Sequence, residues 1–366
     1  MTQADQRFMA AALSLGRRGL GVCWPNPAVG CVIVNAGRVV GRGWTQPSGR
    51  PHAETVALAQ AGDRARGATA YVTLEPCSHH GQTPPCTDGL IKAGIARVVA
   101  PIADSDSRVA GQGFDLLRQA GIDVTIGVMA EQAIRDHAGF FLKTEQGRPL
   151  VTLKLANSFD GRIATATGQS QWITGPMARR AVHGQRARHD AVMVGAGTVR
   201  ADDPSLTVRD LGIERQPVRV IVSRHLDLPL LSQLARTAKD VPVWLCHGPG
   251  ADAERLRAWQ GLGARLLPCG VRGTQLDAAD VLRQLGAAGL TRVFCEGGGA
   301  LAASLLAADL VDDLVGFTAG LAIGAEGMPA IGALGLDRLE NAPRFDLIET
   351  RTIGPDIMHR WSRVLR

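Results

Sequence analysis

The sequence predicts an α/β protein of two domains. Segments with strand and helix patterns alternate along both halves of the chain, as in proteins whose sheet is covered by helices. The chain has 366 residues, which is more than one domain with a single hydrophobic core usually contains. A polar stretch with glycine and proline interrupts the pattern at 144–149. We therefore expect one domain at 1–147 and a second at 148–366.

The first half begins with an amphipathic pattern at 2–16, which predicts a helix. Two strand-like runs, 29–34 and 38–44, flank an Asn-Ala-Gly turn, which predicts a hairpin. The later predicted helices are 52–61, 87–93 and 113–120, and the later predicted strands are 70–74, 97–101 and 123–128. This order implies a sheet with helices on its faces.

The second half alternates in the same way. Its predicted strands are 150–155, 191–195, 218–223, 241–246, 291–295, 311–321 and 357–364, and its predicted helices are 278–287 and 301–307. The glycine-rich turn Glu296-Gly297-Gly298-Gly299 opens the last helix, where backbone N–H groups can hold a phosphate. The turn is not Gly-x-Gly-x-x-Gly, so it does not indicate a Rossmann domain, and a plain tight turn is the alternative to a phosphate site.

Composition limits the class of protein. Apolar residues make up 45% and charged residues 20% of the chain, as is usual for globular proteins. The first residues are polar and no long apolar run follows them, so we expect no secretory signal. Asp309, Asp312 and Asp313 interrupt the most apolar stretch, so we expect no membrane span. Seven cysteines are an odd number for a disulfide framework, which favours reduced thiols in the cytoplasm.

The net charge of +6 is concentrated in one region. Residues 148–224 carry twelve lysines or arginines and six acidic residues. Such a local excess suits a phosphorylated ligand. Nucleic acid is a weaker candidate, because aromatic residues that could stack on bases are only 4% of the chain.

His52, Cys77 and Cys86 are the residues with the clearest chemistry. One imidazole and two thiolates can hold a zinc ion and leave a fourth position open for water, as in catalytic zinc sites. Glu54 lies about 200° from His52 around a regular helix, so the two share a site only if His52 lies at or before the first turn. Pro51 suits such a helix start. The plain alternative is a surface helix start and two small core cysteines.

These parts predict hydrolytic deamination. Zinc lowers the pKa of its bound water from about 15.7 to about 7. Glu54 can take that proton and pass it to the departing ammonia, after hydroxide attacks a ring carbon that bears an amino group. The pattern is that of zinc nucleobase deaminases, although eight residues separate Cys77 from Cys86 instead of two. The inserted loop carries His79 and His80, which are alternative ligands.

Longer strings resemble a known family. Residues 76–86, Pro-Cys-Ser-His-His-Gly-Gln-Thr-Pro-Pro-Cys, with 25–30 and 51–54, are similar to the deaminase half of the bifunctional riboflavin biosynthesis proteins. The similarity continues into the reductase half of that family at 153–156, 158–161, 170–174, 197–199, 202–209 and 296–298. The resemblance covers nearly the whole chain, with both motif sets in the expected order.

The resemblance implies a cytidine-deaminase-like α/β/α domain followed by a dihydrofolate-reductase-like domain. It implies deamination of 2,5-diamino-6-ribosylamino-4(3H)-pyrimidinone 5′-phosphate, then NADPH-dependent reduction of the ribosyl side chain to ribityl. The cofactors would be Zn2+ and NADPH, and the substrate a phosphorylated pyrimidine. We also expect a homo-oligomer with no nucleic-acid or membrane partner.

The resemblance also assigns roles to residues. His52, Cys77 and Cys86 would bind zinc, Glu54 would carry the proton, and Asn26 would line the deaminase pocket. The NADPH site would comprise Ala156, Trp172, Thr198, Asp202, Ser223, Gly298, Gly299, Ala300, Leu301, Ala302, Ala303 and Ser304. The reductase substrate would contact Lys154, Ser170, Arg186, Leu206, Arg209 and Glu296.

Arg186 and Arg209 suit the 5′-phosphate of the sugar, because guanidinium binds phosphate in a fork. The alternative for each is an exposed arginine with no ligand. Two other positions depart from the family: Thr45 stands where histidine is frequent, and Gln82 where arginine is frequent. If the histidine contacts substrate, Thr45 makes a different contact.

Two other functions fit parts of the pattern. A stand-alone nucleoside or transfer-RNA deaminase with an appended domain of other use predicts no NADPH binding. A zinc-stabilised nucleic-acid-binding protein predicts a fourth protein ligand on the metal, and an affinity that falls steeply with salt.

Overall fold

The computed structural model of the chain describes residues 2–79, 84–105 and 110–363. It forms two compact units, Met1–Gly147 and Arg148–Arg366. The interruption expected at 144–149 is shorter in the structure, because a helix continues to Gln146. Gly147 ends that helix with a φ of 69°, a left-handed cap that glycine adopts without strain.

The first unit is a sheet between two layers of helices. Its strands are β1 (Gly30–Asn35), β2 (Arg38–Trp44), β3 (Thr69–Val72), β4 (Arg97–Ala100) and β5 (Asp123–Ile126). Its helices are α1 (Gln3–Gly16), α2 (Ala53–Ala61), α3 (Cys86–Lys92), α4 (Gln112–Gln119) and α5 (Ala130–Gln146). The strand order is β2-β1-β3-β4-β5, with β1 antiparallel to both neighbours and β3, β4 and β5 parallel.

Both faces of this sheet are buried, because successive residues of a strand point to opposite sides. Cys31 and Ile33 belong to the apolar cluster that includes Ala57 of α2. Val32 belongs to the cluster on the other face, which includes Phe8 of α1. The predicted α/β/α layering of the first domain is therefore confirmed.

The second unit is built on a larger mixed sheet. Its strands are β6 (Leu150–Ser158), β7 (Arg162–Ala164), β8 (Ala191–Gly195), β9 (Val218–Val222), β10 (Val243–His247), β11 (Arg265–Pro268), β12 (Val271–Arg272), β13 (Gln275–Leu276), β14 (Arg292–Cys295), β15 (Asp313–Ala319), β16 (Met328–Pro329), β17 (Phe345–Ile353) and β18 (Asp356–Arg363). Its helices are α6 (Pro176–Arg186), α7 (Ala196–Asp202), α8 (Gln233–Arg236), α9 (Ala253–Gly261), α10 (Ala278–Ala287) and α11 (Gly299–Ala307).

Nine of these strands form one sheet in the order β11-β10-β9-β8-β14-β6-β15-β18-β17. In this order the first seven strands, β11 through β15, are mutually parallel. β18 and β17 complete the sheet as an antiparallel hairpin. The carboxyl ends of the parallel strands therefore share one edge. None of the helices in the described part of the chain has the length and apolar character needed to cross a bilayer.

His189 joins the end of α6 to β6. Its Nδ1 donates to the carbonyl of Gln185 at 2.7 Å, which leaves Nε2 to accept from the Thr152 hydroxyl at 2.9 Å. The residue is 6% exposed, and burial lowers the pKa of His189 to about 3. The folded protein therefore holds this imidazole in its neutral form.

We expect the second unit to lose stability as the pH falls from about 6.5 towards about 3. In that window the unfolded histidine binds a proton and the folded one does not, so each pH unit costs up to about 1.4 kcal/mol of unfolding free energy. Denaturant titrations at about pH 7 and about pH 5 would measure the loss for the wild type and for His189→Asn. Asparagine does not titrate, so an equal loss in both proteins would contradict the assignment to His189.

Candidate active sites

His52 reaches the first site from the end of a helix. It is the N-cap of α2, with an extended φ and ψ of −69° and 160°, and Glu54 lies in the first turn. His52 therefore lies outside the helical spiral. This is the placement that the two-residue spacing requires if both side chains are to serve one site.

Cys86 is the first residue of α3, after the N-cap Pro85. Its backbone N–H donates to Sγ of Cys77 at 3.3 Å, and a helix N-terminus favours such a negative charge. A hydrogen bond from the Cys86 thiol, with others from His52 and the Cys86 amide, lowers the pKa of Cys77 to about 4. The lowered pKa favours the thiolate form of Cys77, which is the form that zinc binds.

The distances among these ligand atoms fit a tetrahedral zinc site. Nδ1 of His52 lies 3.7 Å from Sγ of Cys77 and 3.4 Å from Sγ of Cys86. Bonds of about 2.3 Å to sulfur and about 2.05 Å to nitrogen at a tetrahedral angle separate the two atoms by about 3.6 Å. His79 is not part of this cluster in the described chain, and His80 and Gln82 lie outside the described residues.

Glu54 places a carboxyl group beside the cluster. It is 4% exposed and interacts with Cys77, His52 and Cys86. Burial, together with the negative charge of Cys77, raises the pKa of Glu54 to about 7. A group with a pKa near 7 can both accept and release a proton, as general acid–base catalysis requires.

Asn26 and Thr45 lie in the loops around β1 and β2. Nδ2 of Asn26 donates to the carbonyl of Gly49 at 3.0 Å, and a Cβ at Gly49 would lie 2.5 Å from that nitrogen. Gly49 also has a φ of 86°, so this contact requires glycine. Thr45 is 2% exposed, and its Oγ1 accepts from the Val29 N–H at 3.0 Å. In this chain Thr45 therefore makes its contact within the fold.

Glu75 fixes the backbone just before Cys77. Its side chain is 3% exposed and accepts from four backbone N–H groups at 2.8–3.4 Å, those of Asp104, Gly111, Gly113 and Phe114. A Cβ at Gly113 would lie 2.2 Å from the Pro76 carbonyl oxygen. Sequence reasoning misses Glu75, because a single acidic residue after a strand carries no signal of these remote partners.

The predicted cofactor residues of the second unit gather at the carboxyl edge of the sheet. There the adjacent parallel strands β9, β8, β14 and β6 end side by side. Ser223 follows β9, Thr198 and Asp202 lie on α7 after β8, Gly298 follows β14, and Ala156 lies towards the end of β6. This edge is where parallel α/β sheets bind their ligands.

The N-terminus of α11 offers free backbone donors at this edge. Gly298 is the N-cap, and Gly299, Ala300 and Leu301 form the first turn. N–H groups in a first turn have no carbonyl partner within the helix, and they can therefore bind a phosphate. A Cβ at Gly299 would lie 2.8 Å from the Pro329 carbonyl oxygen, so close packing also explains this glycine.

The remaining residues of the predicted 298–304 stretch make contacts within the protein. Ala302 is fully buried and Ala303 is 8% exposed, and the Ala302 N–H donates to the Gly298 carbonyl at 3.1 Å. The Ser304 hydroxyl donates to the Ala300 carbonyl at 3.0 Å. The candidate donors to a phosphate are therefore the backbone N–H groups of the first turn, residues 299–301.

Three other predicted residues differ in their exposure. Trp172 is 66% exposed, and the Arg179 guanidinium lies 4.4 Å from the centre of its ring. Ser170 is half-buried two residues earlier. Ser223 is 2% exposed and donates to Oδ1 of Asp227 at 3.3 Å. Roles in NADPH or substrate binding stay predictions for these residues.

Glu296 is the centre of a buried charge cluster. Arg186 donates to its carboxylate from Nε at 2.5 Å and from Nη2 at 3.1 Å. Nζ of Lys154 lies 3.8 Å from Oε2 of the same carboxylate. Burial opposes ionisation, but Arg186 and Lys154 outweigh it and lower the pKa of Glu296. The structure thus brings together three predicted substrate residues, Lys154, Arg186 and Glu296. The guanidinium of Arg186 binds the carboxylate of Glu296 through two nitrogens.

Leu206 and Arg209 lie on one short segment but differ in exposure. Leu206 is 2% exposed and packs in an apolar cluster with Val192 and Ile221. Arg209 is exposed. The Leu206 side chain is therefore part of the core, whereas the Arg209 side chain is accessible, and its role in substrate binding stays a prediction.

Comparison with known proteins gives a family match for each half of the chain. The family model described as the RibD C-terminal domain matches residues 149–359, and the cytidine and deoxycytidylate deaminase zinc-binding region matches residues 2–102. The riboflavin biosynthesis protein RibD of Escherichia coli K12 is 43% identical over 96% of this chain and 98% of its own length.

The chain belongs to the RibD family. Acinetobacter baumannii RibD (form 1) has 36% identity and a TM-score of 0.87, over 98% of this chain and 99% of its own. The diaminohydroxyphosphoribosylaminopyrimidine deaminase/5-amino-6-(5-phosphoribosylamino)uracil reductase of Thermotoga maritima has 32% identity and a TM-score of 0.85, with the same coverage.

Membership of the RibD family makes the chain a bifunctional deaminase and reductase of riboflavin biosynthesis. The predicted fold class and the predicted cofactors, Zn2+ and NADPH, are confirmed. The alternatives of a deaminase with an unrelated appended domain and of a nucleic-acid-binding protein are wrong, because the RibD C-terminal domain occupies the second half.

Proposed function

We propose that the first unit is the deaminase, with His52, Cys77 and Cys86 as the zinc ligands and Glu54 as the proton carrier. The observation that carries this assignment is the tetrahedral spacing of the three ligand atoms beside a buried carboxyl group. The substrate is 2,5-diamino-6-ribosylamino-4(3H)-pyrimidinone 5′-phosphate. Asn26 lies in the loop that lines its pocket.

The residues around the cluster account for the proton transfers. Zinc, when bound, supplies an acidified water. Glu54 accepts a proton from water at this site and then donates it to the amino group that leaves as ammonia. A C–O bond forms and a C–N bond breaks at the same ring carbon, so the step needs no oxidant. Burial of Glu54 lets one side chain perform both transfers near neutral pH.

We propose that the second unit binds NADPH along the carboxyl ends of β9, β8, β14 and β6. The first turn of α11 holds a phosphate of the cofactor, and Thr198 lies beside it, since a Cβ at Gly298 would be 3.7 Å from Oγ1 of Thr198. NADPH, when bound, supplies a hydride. The Glu296 cluster faces the sugar that is reduced, and the exposed Arg209 binds its 5′-phosphate.

A product analysis tests both assignments. The purified protein is mixed with the phosphorylated diaminopyrimidine, with and without NADPH, and the products are weighed by mass spectrometry. We expect the deaminated compound alone without NADPH and the ribityl compound with it. Unchanged substrate with the zinc-loaded protein would overturn the first assignment. A deaminated compound that persists with NADPH would overturn the second.

We propose that the chain forms a homo-oligomer through β17 and β18. β17 is one of the two edge strands of the sheet, and an edge strand has a row of unpaired backbone groups. Leu347, Ile348 and Ile357 on this hairpin are 49–52% exposed, so a second copy would cover apolar surface. Sedimentation velocity should show more than one copy, and fewer for Ile357→Lys; a monomeric wild type would contradict the proposal.

We propose the cytoplasm as the location of the protein. All seven cysteines are free thiols in the structure, and two of them are the proposed zinc ligands. A reducing compartment keeps such thiols available to the metal.

A further inference from the structure

Residues 205–209, here called the substrate segment, follow an irregular path between α7 and β9. Leu206 has a φ of 53°, which a residue with a side chain rarely adopts. Such a conformation persists where the surroundings hold it, and it is frequent at ligand sites. The contacts that hold this segment therefore bear on the placement of Arg209 at its end.

His183 of α6 holds the segment from one side. Its Nδ1 lies 3.1 Å from the Thr207 carbonyl oxygen and 3.3 Å from the Arg209 backbone nitrogen. With its proton on Nδ1 the ring donates to Thr207, and with the proton on Nε2 it accepts from the Arg209 N–H. Either neutral form therefore binds the segment next to Arg209.

Arg186, one turn further along α6, meets the same carbonyl. Its Nη1 donates to Thr207 at 2.8 Å while its Nε and Nη2 hold Glu296. The segment is thus connected through one arginine to the buried Glu296 cluster. Residues three apart on a helix share a face, which explains why His183 and Arg186 act on one carbonyl.

Gln216 holds the segment from the other side. Its Oε1 accepts from the Val208 N–H at 2.6 Å, and its Nε2 donates to the Val208 carbonyl at 3.2 Å. A single side chain therefore satisfies both backbone groups of Val208, as a neighbouring strand would. Side chains therefore bind the backbone of residues 207–209 at three consecutive positions.

We propose that His183 and Gln216 are positioning residues of the reductase, which fix the backbone of residues 207–209 so that Arg209 meets the 5′-phosphate of the substrate. The proposal rests on the proposed function of Arg209. Burial, with the charges of Arg186 and Arg209, lowers the pKa of His183, in agreement with a neutral ring at this position.

The variants His183→Leu and His183→Asn test the proposal. Leucine removes the hydrogen bonds, whereas the asparagine side-chain amide can occupy the place of Nδ1. We expect leucine to raise the KM for the deaminated substrate about tenfold while kcat changes less than about twofold, and asparagine to restore most of the loss. Gln216→Ala should raise KM in the same way. The exposed His225, changed to Leu, is the matched control, and urea titration of each variant shows whether its second unit is folded.

A double-mutant cycle with Arg209→Ala distinguishes the positioning role of His183 from the phosphate contact of Arg209. If His183 acts through Arg209, His183→Leu adds almost nothing once Arg209 is alanine. Full additivity, or an unchanged KM for His183→Leu in the wild-type background, would overturn the positioning role. An unchanged KM for Arg209→Ala alone would instead overturn the proposed phosphate contact.

Discussion

Glu54→Gln is expected to abolish deamination while zinc binding and NADPH-dependent reduction persist. Glutamine has nearly the same shape, but it cannot accept a proton from water or return one to ammonia. Loss of a general acid–base group of this kind lowers a rate by roughly 10²–10⁴-fold. The zinc ligands His52, Cys77 and Cys86 are untouched, so the metal content should not change.

Three measurements on one preparation test this expectation: ammonia release, zinc content by elemental analysis, and NADPH oxidation with the deaminated substrate. Glu131→Gln is the matched control, because Glu131 also lies in the first turn of its helix but is exposed. Deamination at the wild-type rate in the Glu54 variant would remove this residue from the mechanism. Loss of zinc together with activity would instead show a structural role.

Arg186→Met is expected to destabilise the second unit by about 3 kcal/mol and to abolish reduction. The side chains of Arg186 and Glu296 are only 12% and 8% exposed, so the change leaves a buried carboxylate with Lys154 as its remaining partner. Removing one partner of a buried ion pair commonly costs about 3–5 kcal/mol, and Lys154 offsets part of that loss.

Arg200→Met is the matched control for this prediction. Arg200 pairs with Asp227 at 2.5 Å, but both side chains are nearly half exposed, at 47% and 49%. Such a pair contributes less than about 1 kcal/mol. In urea titrations, adding Glu296→Gln to Arg186→Met should recover only part of the lost stability, because it removes the buried carboxylate but takes from Lys154 its nearest negative charge. An equal loss of unfolding free energy for Arg186→Met and Arg200→Met would contradict a larger contribution from the buried pair.

The zinc site was predictable because its ligands lie on short, distinctive motifs. Pro51 before His52 indicates a helix start, and the structure has His52 at the N-cap of α2. The glycine-rich turn after β14 indicates a helix N-terminus in the same way. In both cases the local chain geometry determines where the functional group points.

Other elements escaped prediction because their buried residues are not large and apolar. In α5 the buried positions are Ala133, His137 and Gly139, which give no apolar stripe. In α6 they are Ala178 and Val182. β17 is an edge strand and is mostly exposed on both sides, so it lacks the alternation of buried and exposed residues that marks a strand.

The Glu296 cluster and the substrate segment depend on long-range pairing. Arg186 and Glu296 are 110 residues apart and meet because β14 lies next to β8 and β6 in the sheet. No local pattern specifies that neighbourhood. Likewise, His183 and Gln216 have ordinary sequence surroundings, and their importance follows only from the carbonyl and amide groups they contact.

We expect metal retention in the first unit to depend on Gly113, a residue outside the proposed ligand set. Gly113 donates its N–H to Glu75 at 2.8 Å, and any side chain there would press on the Pro76 carbonyl, one residue from Cys77. An inherited or engineered change at Gly113 would therefore appear as a leaky zinc enzyme with all ligands intact. Screens for inactive variants that inspect only the ligand motifs would overlook this class of defect.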